Sequence, residues 1–335
     1  RTFFGRPPTP LRGGRRPEGR RPPVGMSAGS GGGPARSPGA RGEISLRLPY
    51  REPFYGPGIL AFLGQRAVAG VEEWDGCEYR RTLSLPHGAA TVALAEGPGH
   101  VRCRLTMTDL RDLGTAVARA RRLLDLDADP VAVGEHLGAD PLLAPLVAAI
   151  AGRRIPGAVD GAEIALRAVL GQQVSVAAAR QMASTLTEAW GEDLPGGPSP
   201  TPADGRPAGP NRLFPAPAVI AELDPARLAM PLARGKALVA LADALAEGRI
   251  VIDPGADRQD VPRQLRALAG IGPWTAAYVA LRGLGDPDAF LPGDLGVRRG
   301  LAALGQASSP ADAARIGERW RPWRGYALQY LWAAG

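Results

Sequence analysis

The sequence predicts an α+β fold: a strand-rich N-terminal part followed by a long helical region. Three observations carry that expectation. Val101-Arg102-Cys103-Arg104-Leu105-Thr106-Met107 alternates apolar and polar residues, the period of a half-buried strand. From residue 130 onward, Ala- and Leu-rich amphipathic segments dominate. Leu268-Ala269-Gly270-Ile271-Gly272-Pro273-Trp274-Thr275-Ala276-Ala277-Tyr278 reads as a helix, a tight glycine hairpin and a second helix.

Taken in order, residues 1–42 are low-complexity, rich in Gly, Pro, Arg and Ser, and are expected to form no core. The chain begins with Arg1, so a fragment or processed chain is expected. Residues 43–132 form the predicted α/β part, with strands over Tyr79–Leu85, Thr91–Leu94 and Val101–Met107 and helical spacing over Gly58–Val68 and Leu113–Leu126. Residues 133–335 form the predicted helical region, interrupted by a Pro- and Gly-rich surface loop at 194–212. An aromatic-rich run from Arg319 to Trp332 opens the last helix.

Composition narrows the function. Cys77 and Cys103 are the only cysteines and form no CxxC pattern, which excludes a cysteine-ligated zinc or iron–sulfur cluster. His87, His100 and His136 cluster with nothing, so no side-chain metal site is expected. No apolar run reaches membrane-spanning length and no signal peptide is evident, which makes the cytoplasm the expected location. The net charge of +7 belongs to the tail: residues 1–42 hold nine arginines and one glutamate, leaving about −1 for the rest. A nucleic-acid partner would therefore be held by local patches and backbone amides rather than by a global field.

The hairpin supplies such amides. Gly270 and Gly272 permit φ > 0, and Pro273 suits the first helical position. The turn directs free N–H groups outward beside a positive helix end, a ready phosphate site. Trp274 and Tyr278, four residues apart, share a helix face, and Gly283 is the expected C′ residue of that helix. Asp294 follows a Pro-Gly turn and precedes Leu295-Gly296-Val297-Arg298-Arg299, where it suits an N-cap.

These segments resemble the helix-hairpin-helix DNA glycosylases, and within them the bacterial 3-methyladenine DNA glycosylase II (AlkA) family. The resemblance covers about residues 44–335. It is carried by Phe62-Leu63-Gly64-Gln65-Arg66-Ala67-Val68, Leu170-Gly171-Gln172-Gln173-Val174-Ser175-Val176, the hairpin, Phe290-Leu291-Pro292-Gly293-Asp294 and the Trp-rich final helix. It implies a small antiparallel-sheet domain like half of a TATA-binding protein, then two helical domains with the active-site cleft between them. The opening Phe3-Phe4-Gly5-Arg6-Pro7-Pro8-Thr9-Pro10-Leu11-Arg12 is similar to the last turn of an AraC-type helix-turn-helix domain, as in fusions of the Ada regulator to an AlkA-like domain. The alternative is an arbitrary Arg/Pro linker.

What the resemblance implies about chemistry is specific. Breaking an N-glycosidic bond places positive charge on the sugar, and Asp294 is the one carboxylate in the right motif to stabilise it and to orient water. A single acid suffices for N3- or N7-alkylated purines, which leave as neutral bases, whereas ordinary glycosidases employ two. Trp274, Tyr278 and Trp332 are the expected base pocket, stacking on a flipped cationic purine; Trp320 and Trp323 are expected in the core. The lyase-type relatives carry lysine where Trp274 stands, and Lys236, the only lysine, lies upstream, so a monofunctional enzyme is expected.

Gln172 and Gln173 occupy the turn that inserts into the duplex, with Gln173 in place of an apolar wedge. Gly270, Gly272 and Thr275 are expected to contact DNA. Gly293 stands where the family pattern has a second acid. No cofactor is expected beyond a structural cation on main-chain carbonyls near Arg266, Leu268 and Ile271. The expected partner is double-stranded DNA with alkylated bases, bound by a monomer in the nucleoid, without membrane association. The alternative is a non-catalytic DNA-binding module of an adaptive-response regulator.

Overall fold

The computed structural model describes residues 42–195 and 209–335. The tail and its similarity to a helix-turn-helix domain lie outside the described residues. The chain runs β1 (Gly42–Pro49), α1 (Gly56–Gln65), β2 (Glu72–Trp74), β3 (Glu78–Leu85), β4 (Gly88–Gly97), β5 (His100–Met107) and α2 (Leu113–Leu123). It continues with α3 (Pro130–Gly138), α4 (Ala144–Ala149), α5 (Gly161–Leu170), α6 (Val176–Trp190), α7 (Pro217–Ala221) and α8 (Leu232–Ala246). It closes with α9 (Asp260–Ala267), α10 (Pro273–Arg282), α11 (Leu295–Ala303), α12 (Pro310–Gly317) and α13 (Arg324–Ala334). This is an α+β fold.

The five strands form one antiparallel sheet in the order β1-β5-β4-β3-β2. In β5, Val101, Cys103, Leu105 and Met107 are buried while Arg102 and Arg104 point to solvent, the alternation read from the sequence. Helix α1 buries Ile59, Leu60 and Leu63, and α2 buries Ala116, Ala120 and Leu123, in a core shared with Tyr79, Leu83, Val92 and Leu94 of the sheet. Removing that apolar surface from water is what holds both helices on the sheet. The helices from α3 onward share one continuous buried core, which Val68 and Val71 join from the start of the chain.

Both feet of the Pro- and Gly-rich loop are tied down. Leu194 N–H donates to the Asn211 carbonyl at 2.7 Å, Leu213 N–H to the Glu192 carbonyl at 2.8 Å, and Asn211 N–H to the Gly70 carbonyl at 2.8 Å. Residues 196–208 lie outside the described residues.

The two hairpin glycines differ. Gly270 has φ +84°, and a Cβ there would also meet the Ala237 Cβ at 2.7 Å. Gly272 is instead the N-cap of α10 with φ −88° and ψ 174°, extended backbone open to any residue, so the expectation of φ > 0 at both is corrected. Gly283 is likewise not a left-handed C′ residue. It continues in right-handed geometry at φ −88°, and a Cβ there would meet Ile252 Cγ2 at 2.8 Å, so packing rather than the turn requires glycine.

Candidate active site

Asp294 is placed by the sequence around it. The turn before α11 delivers it to the N-cap, where its Oδ1 accepts the Val297 N–H at 3.1 Å. Its two oxygens then accept from two indoles: Trp332 Nε1 donates to Oδ1 at 2.8 Å and Trp274 Nε1 to Oδ2 at 2.8 Å. One carboxylate thus joins α10, α11 and α13, and the three donors fix its rotamer. Capping and orientation toward the cleft coexist in one conformation.

Trp274 and Tyr278 lie on one face of α10, as their spacing predicts, with ring centroids 5.2 Å apart and planes 12° from parallel. Trp332 of α13 stacks on Phe62 of α1 at 5.8 Å and 17°. Inserting a flat ring between two others needs about 7 Å, twice the carbon–carbon contact distance. A further flat ring therefore fits inside neither pair as it stands, and only their outer faces are open to one. Helix α13 approaches closely because α11 carries glycine at the crossing: a Cβ on Gly296 would meet Trp332 Cδ1 at 2.7 Å, and one on Gly300 would meet the Leu331 backbone.

A cleft of about 1250 Å³ opens beside these groups. Every site residue read from the sequence lines it: Asp294, Trp274, Tyr278, Trp332, Gln172, Gln173, Gly270, Gly272 and Thr275. Their states differ. Gln172 Nε2 donates to the Gly270 carbonyl and to Thr275 Oγ1, both at 3.0 Å, so it pins the α5–α6 turn to the hairpin. Thr275 is 2% exposed and its hydroxyl is taken up by Gln172, so its side chain is part of the wall rather than a free group. Gln173 is exposed at the rim with φ +55°, a left-handed conformation uncommon for a residue with a Cβ. Trp320 is fully buried and Trp323 packs on the helical core, as expected of both.

Sequence reasoning gave no role to three other groups. Phe62 and Arg66 lie within a motif whose resemblance was recognised, but nothing in their spacing foretold that Arg66 would place its guanidinium 3.6 Å from the Phe62 ring centroid. Arg282, 6% exposed, donates to the Pro156 carbonyl at 2.5 Å, the Gly157 carbonyl at 2.9 Å and the Tyr278 hydroxyl at 2.6 Å. Burial pushes the Tyr278 phenol up, but Arg282, Arg66 and Arg167 together outweigh it and hold the pKa below the usual value.

Behind the cleft, Glu72 accepts from Arg81 at 3.0 Å, from Arg167 at 3.0 Å and from the Tyr79 hydroxyl at 2.6 Å. Burial pushes the Glu72 carboxyl up, yet these two guanidiniums overcome it and hold the pKa far below the ordinary range. Glu163 of α5 closes the network on Arg81 and Arg167, and Arg167 also donates to the Arg66 carbonyl at 2.8 Å. Among the described residues no group of three or more His, Cys, Asp or Glu is gathered for a metal ion, and no helix is long and apolar enough to cross a membrane.

Residues 45–160 match the family described as AlkA N-terminal domain. The chain is 34% identical over 292 residues to DNA-3-methyladenine glycosylase 2 of Escherichia coli, covering 85% of this chain and 95% of that protein. It belongs to the DNA-3-methyladenine glycosylase 2 (AlkA) family. It is also 48% identical over 291 residues to a Mycobacterium tuberculosis protein named probable bifunctional transcriptional activator/DNA repair enzyme AlkA. That alignment covers 87% of this chain and only 57% of the longer relative. Among solved structures, the 3-methyladenine DNA glycosylase from Archaeoglobus fulgidus aligns with a TM-score of 0.70 at 19% identity, over 87% of this chain and 97% of that one. The apo 8-oxoguanine glycosylase/lyase of Clostridium acetobutylicum aligns at 0.66, also at 19% identity. These two establish a shared fold.

Proposed function

We propose that this chain is a monofunctional DNA glycosylase that hydrolyses the N-glycosidic bond of alkylated bases, such as 3-methyladenine and 7-methylguanine, in base excision repair. The observation that carries the reading is Asp294, a single carboxylate held by Trp274 and Trp332 at the wall of the cleft. In the reaction the flipped base lies against the outer face of an aromatic pair, with its deoxyribose beside Asp294. The carboxylate stabilises the sugar cation that develops as the bond breaks and receives a proton from the attacking water. An N7-alkylated purine leaves uncharged and needs no acid. Lys236, in α8, is not among the cleft residues, so the reading includes no Schiff base.

Gln173, exposed at the rim, fills the gap left by the flipped base and can hydrogen-bond the base opposite. The N–H groups at the start of α10, together with Gly270 and Gly272, hold a phosphate. A cation at the hairpin would use the carbonyls of Arg266, Leu268 and Ile271. The Leu268 carbonyl already accepts from Ile271 N–H at 3.1 Å, so it would serve with its second lone pair. The proposal places the protein on duplex DNA as a monomer, in the nucleoid of the cytoplasm.

Base release from methylated DNA tests this. Wild type should release 7-methylguanine, Asp294→Asn should release it about 100-fold more slowly, and borohydride should trap no covalent adduct with either protein. Equal release by both would remove Asp294 from the mechanism. No release by wild type would favour a binding module.

A further inference from the structure

The cleft carries a positive charge that a site for cationic bases alone has no use for. Glu72 and Glu163 are committed to Arg81 and Arg167, four charges that balance. Arg282 directs its N–H groups to two carbonyls and the Tyr278 hydroxyl. Arg66 differs. Its guanidinium lies over the Phe62 ring, and its one hydrogen bond among the described residues runs to the Phe62 carbonyl at a long 3.3 Å. It forms no ion pair among the described residues, although Asp294 lies near enough to favour its charge. It is half-buried and lines the same cleft as Asp294, Trp274, Tyr278 and Trp332.

An unpaired guanidinium beside a cationic base repels it, and in a desolvated site that repulsion is not small. A pocket serving only cations would gain by losing Arg66. Supporting the same point, burial and the neighbouring Arg282 and Arg167 lower the Arg66 pKa, with Tyr278 and Asp294 offsetting them only in part.

We infer that Arg66 is a catalytic residue for uncharged lesion bases, donating its free N–H groups to an oxygen or ring nitrogen of the flipped base as the glycosidic bond breaks. The inference rests on the glycosylase reading and deepens it. The two substrate classes make opposite demands. When the C1′–N bond of an N7-alkylated purine breaks, the electron pair returns to a cationic ring and the base departs neutral. With an uncharged base the same pair leaves an anion. Water gives its oxygen to C1′ and a proton to Asp294, and the departing anion gains a proton from solvent, so one water is consumed in all. Arg66 remains charged throughout because a guanidinium does not deprotonate in proteins. Its planar fork stabilises negative charge that exists only while the bond is breaking, which is where a donor raises the rate.

The test uses the full chain under single-turnover conditions on two duplexes, one holding hypoxanthine and one 7-methylguanine. Arg66→Met should lower the ratio of the hypoxanthine rate to the 7-methylguanine rate by about 30-fold or more, the scale of losing one transition-state donor. Arg66→Lys keeps the charge without the fork and should fall between Arg66→Met and wild type; if Arg66→Met does not fold, as judged by circular dichroism, Arg66→Lys must show a lowered ratio on its own. Equal losses on both duplexes would show a structural role and overturn the inference. So would a wild type that releases 7-methylguanine but not hypoxanthine. Release of neither by wild type would instead overturn the glycosylase reading, and the inference with it.

Discussion

One methyl group added to Gly296 separates the geometry of the cleft from the stability of the fold. The Cβ of Gly296→Ala would lie 2.7 Å from Trp332 Cδ1, 3.2 Å from Trp332 Nε1 and 3.1 Å from Asp294 Oδ1. Carbon atoms rest about 3.5–4.0 Å apart, so the indole must withdraw by about 1 Å. The Trp332 Nε1 bond to Asp294 is 2.8 Å long, and that withdrawal takes it beyond hydrogen-bonding range. A hydrogen bond to a charged group contributes about 1.5–3 kcal/mol, so losing it in the transition state predicts a rate loss of about 10- to 100-fold. Alanine meanwhile favours the helix by up to about 1 kcal/mol over glycine, which offsets part of the crowding. Single-turnover excision of 7-methylguanine and thermal unfolding should be measured on the same samples, with slowed excision and a nearly unchanged melting temperature expected. Full activity would refute the argument, and so would an activity loss that merely tracks a large drop in melting temperature. Gly300→Ala is the contrast: its Cβ meets the Leu331 backbone, which cannot swing aside, so a stability loss of about 1–3 kcal/mol is expected there.

The remaining predictions concern charge and hydrogen bonding. Asp125 accepts from the Tyr326 hydroxyl at 2.8 Å and the Ile155 N–H at 3.2 Å, and burial pushes its carboxyl up to about 6. A raised folded-state pKa means stability that is complete below the unfolded value near 3.8 and lost as pH rises through 6. Wild type should therefore gain about 1 kcal/mol from Asp125 between pH 7 and pH 5, and urea unfolding of Asp125→Asn should lack that increment. Glu72 has the opposite sign, so its contribution disappears only below pH 4.5 and leaves this window clear. Gln172→Ala removes both bonds from the hairpin and should cost about 1–2 kcal/mol in urea unfolding, with weaker DNA binding by fluorescence anisotropy. In Asp294→Asn one indole N–H meets an amide NH₂ in place of an oxygen. With the Asn oxygen kept on the Val297 N–H and Trp332, that indole is Trp274. Adding Trp274→Phe removes the clash, so the double variant should recover melting temperature while excision stays slow; recovered excision would mean that geometry, not charge, was lost.

Much of this was legible in the sequence wherever a local rule governs it. The alternation of β5, the i, i+4 placement of Trp274 and Tyr278, and the cap at Asp294 need only a few neighbouring residues to be fixed. The two hairpin glycines look alike in sequence, and only the packing of Gly270 on Ala237 shows which one requires the left-handed conformation. Arg282 reads as an ordinary helix-end arginine, because its partners Pro156 and Gly157 lie more than a hundred residues earlier. Glu72 is opaque for the same reason. Its partners Arg81 and Arg167 become neighbours only through the β2–β3 pairing and the docking of α5.

That distant network makes the sheet part of the candidate site. Phe62 and Arg66 enter the cleft from α1, whose apolar face is held on the sheet by Ile59, Leu60 and Leu63. Arg167 of the helical region grips the Arg66 carbonyl while paired to Glu72 of β2, so the end of α1 is fixed from both sides. Removing Glu72 would leave Glu163 alone between two buried guanidiniums, and the one uncompensated buried charge costs about 3–5 kcal/mol. The fold cannot shed that ion pair without loosening the hold of Arg167 on Arg66 at the cleft wall. The helical region supplies the carboxylate and three of the rings that line the cleft, and the sheet, through α1, supplies the fourth ring and a half-buried guanidinium that forms no ion pair among the described residues.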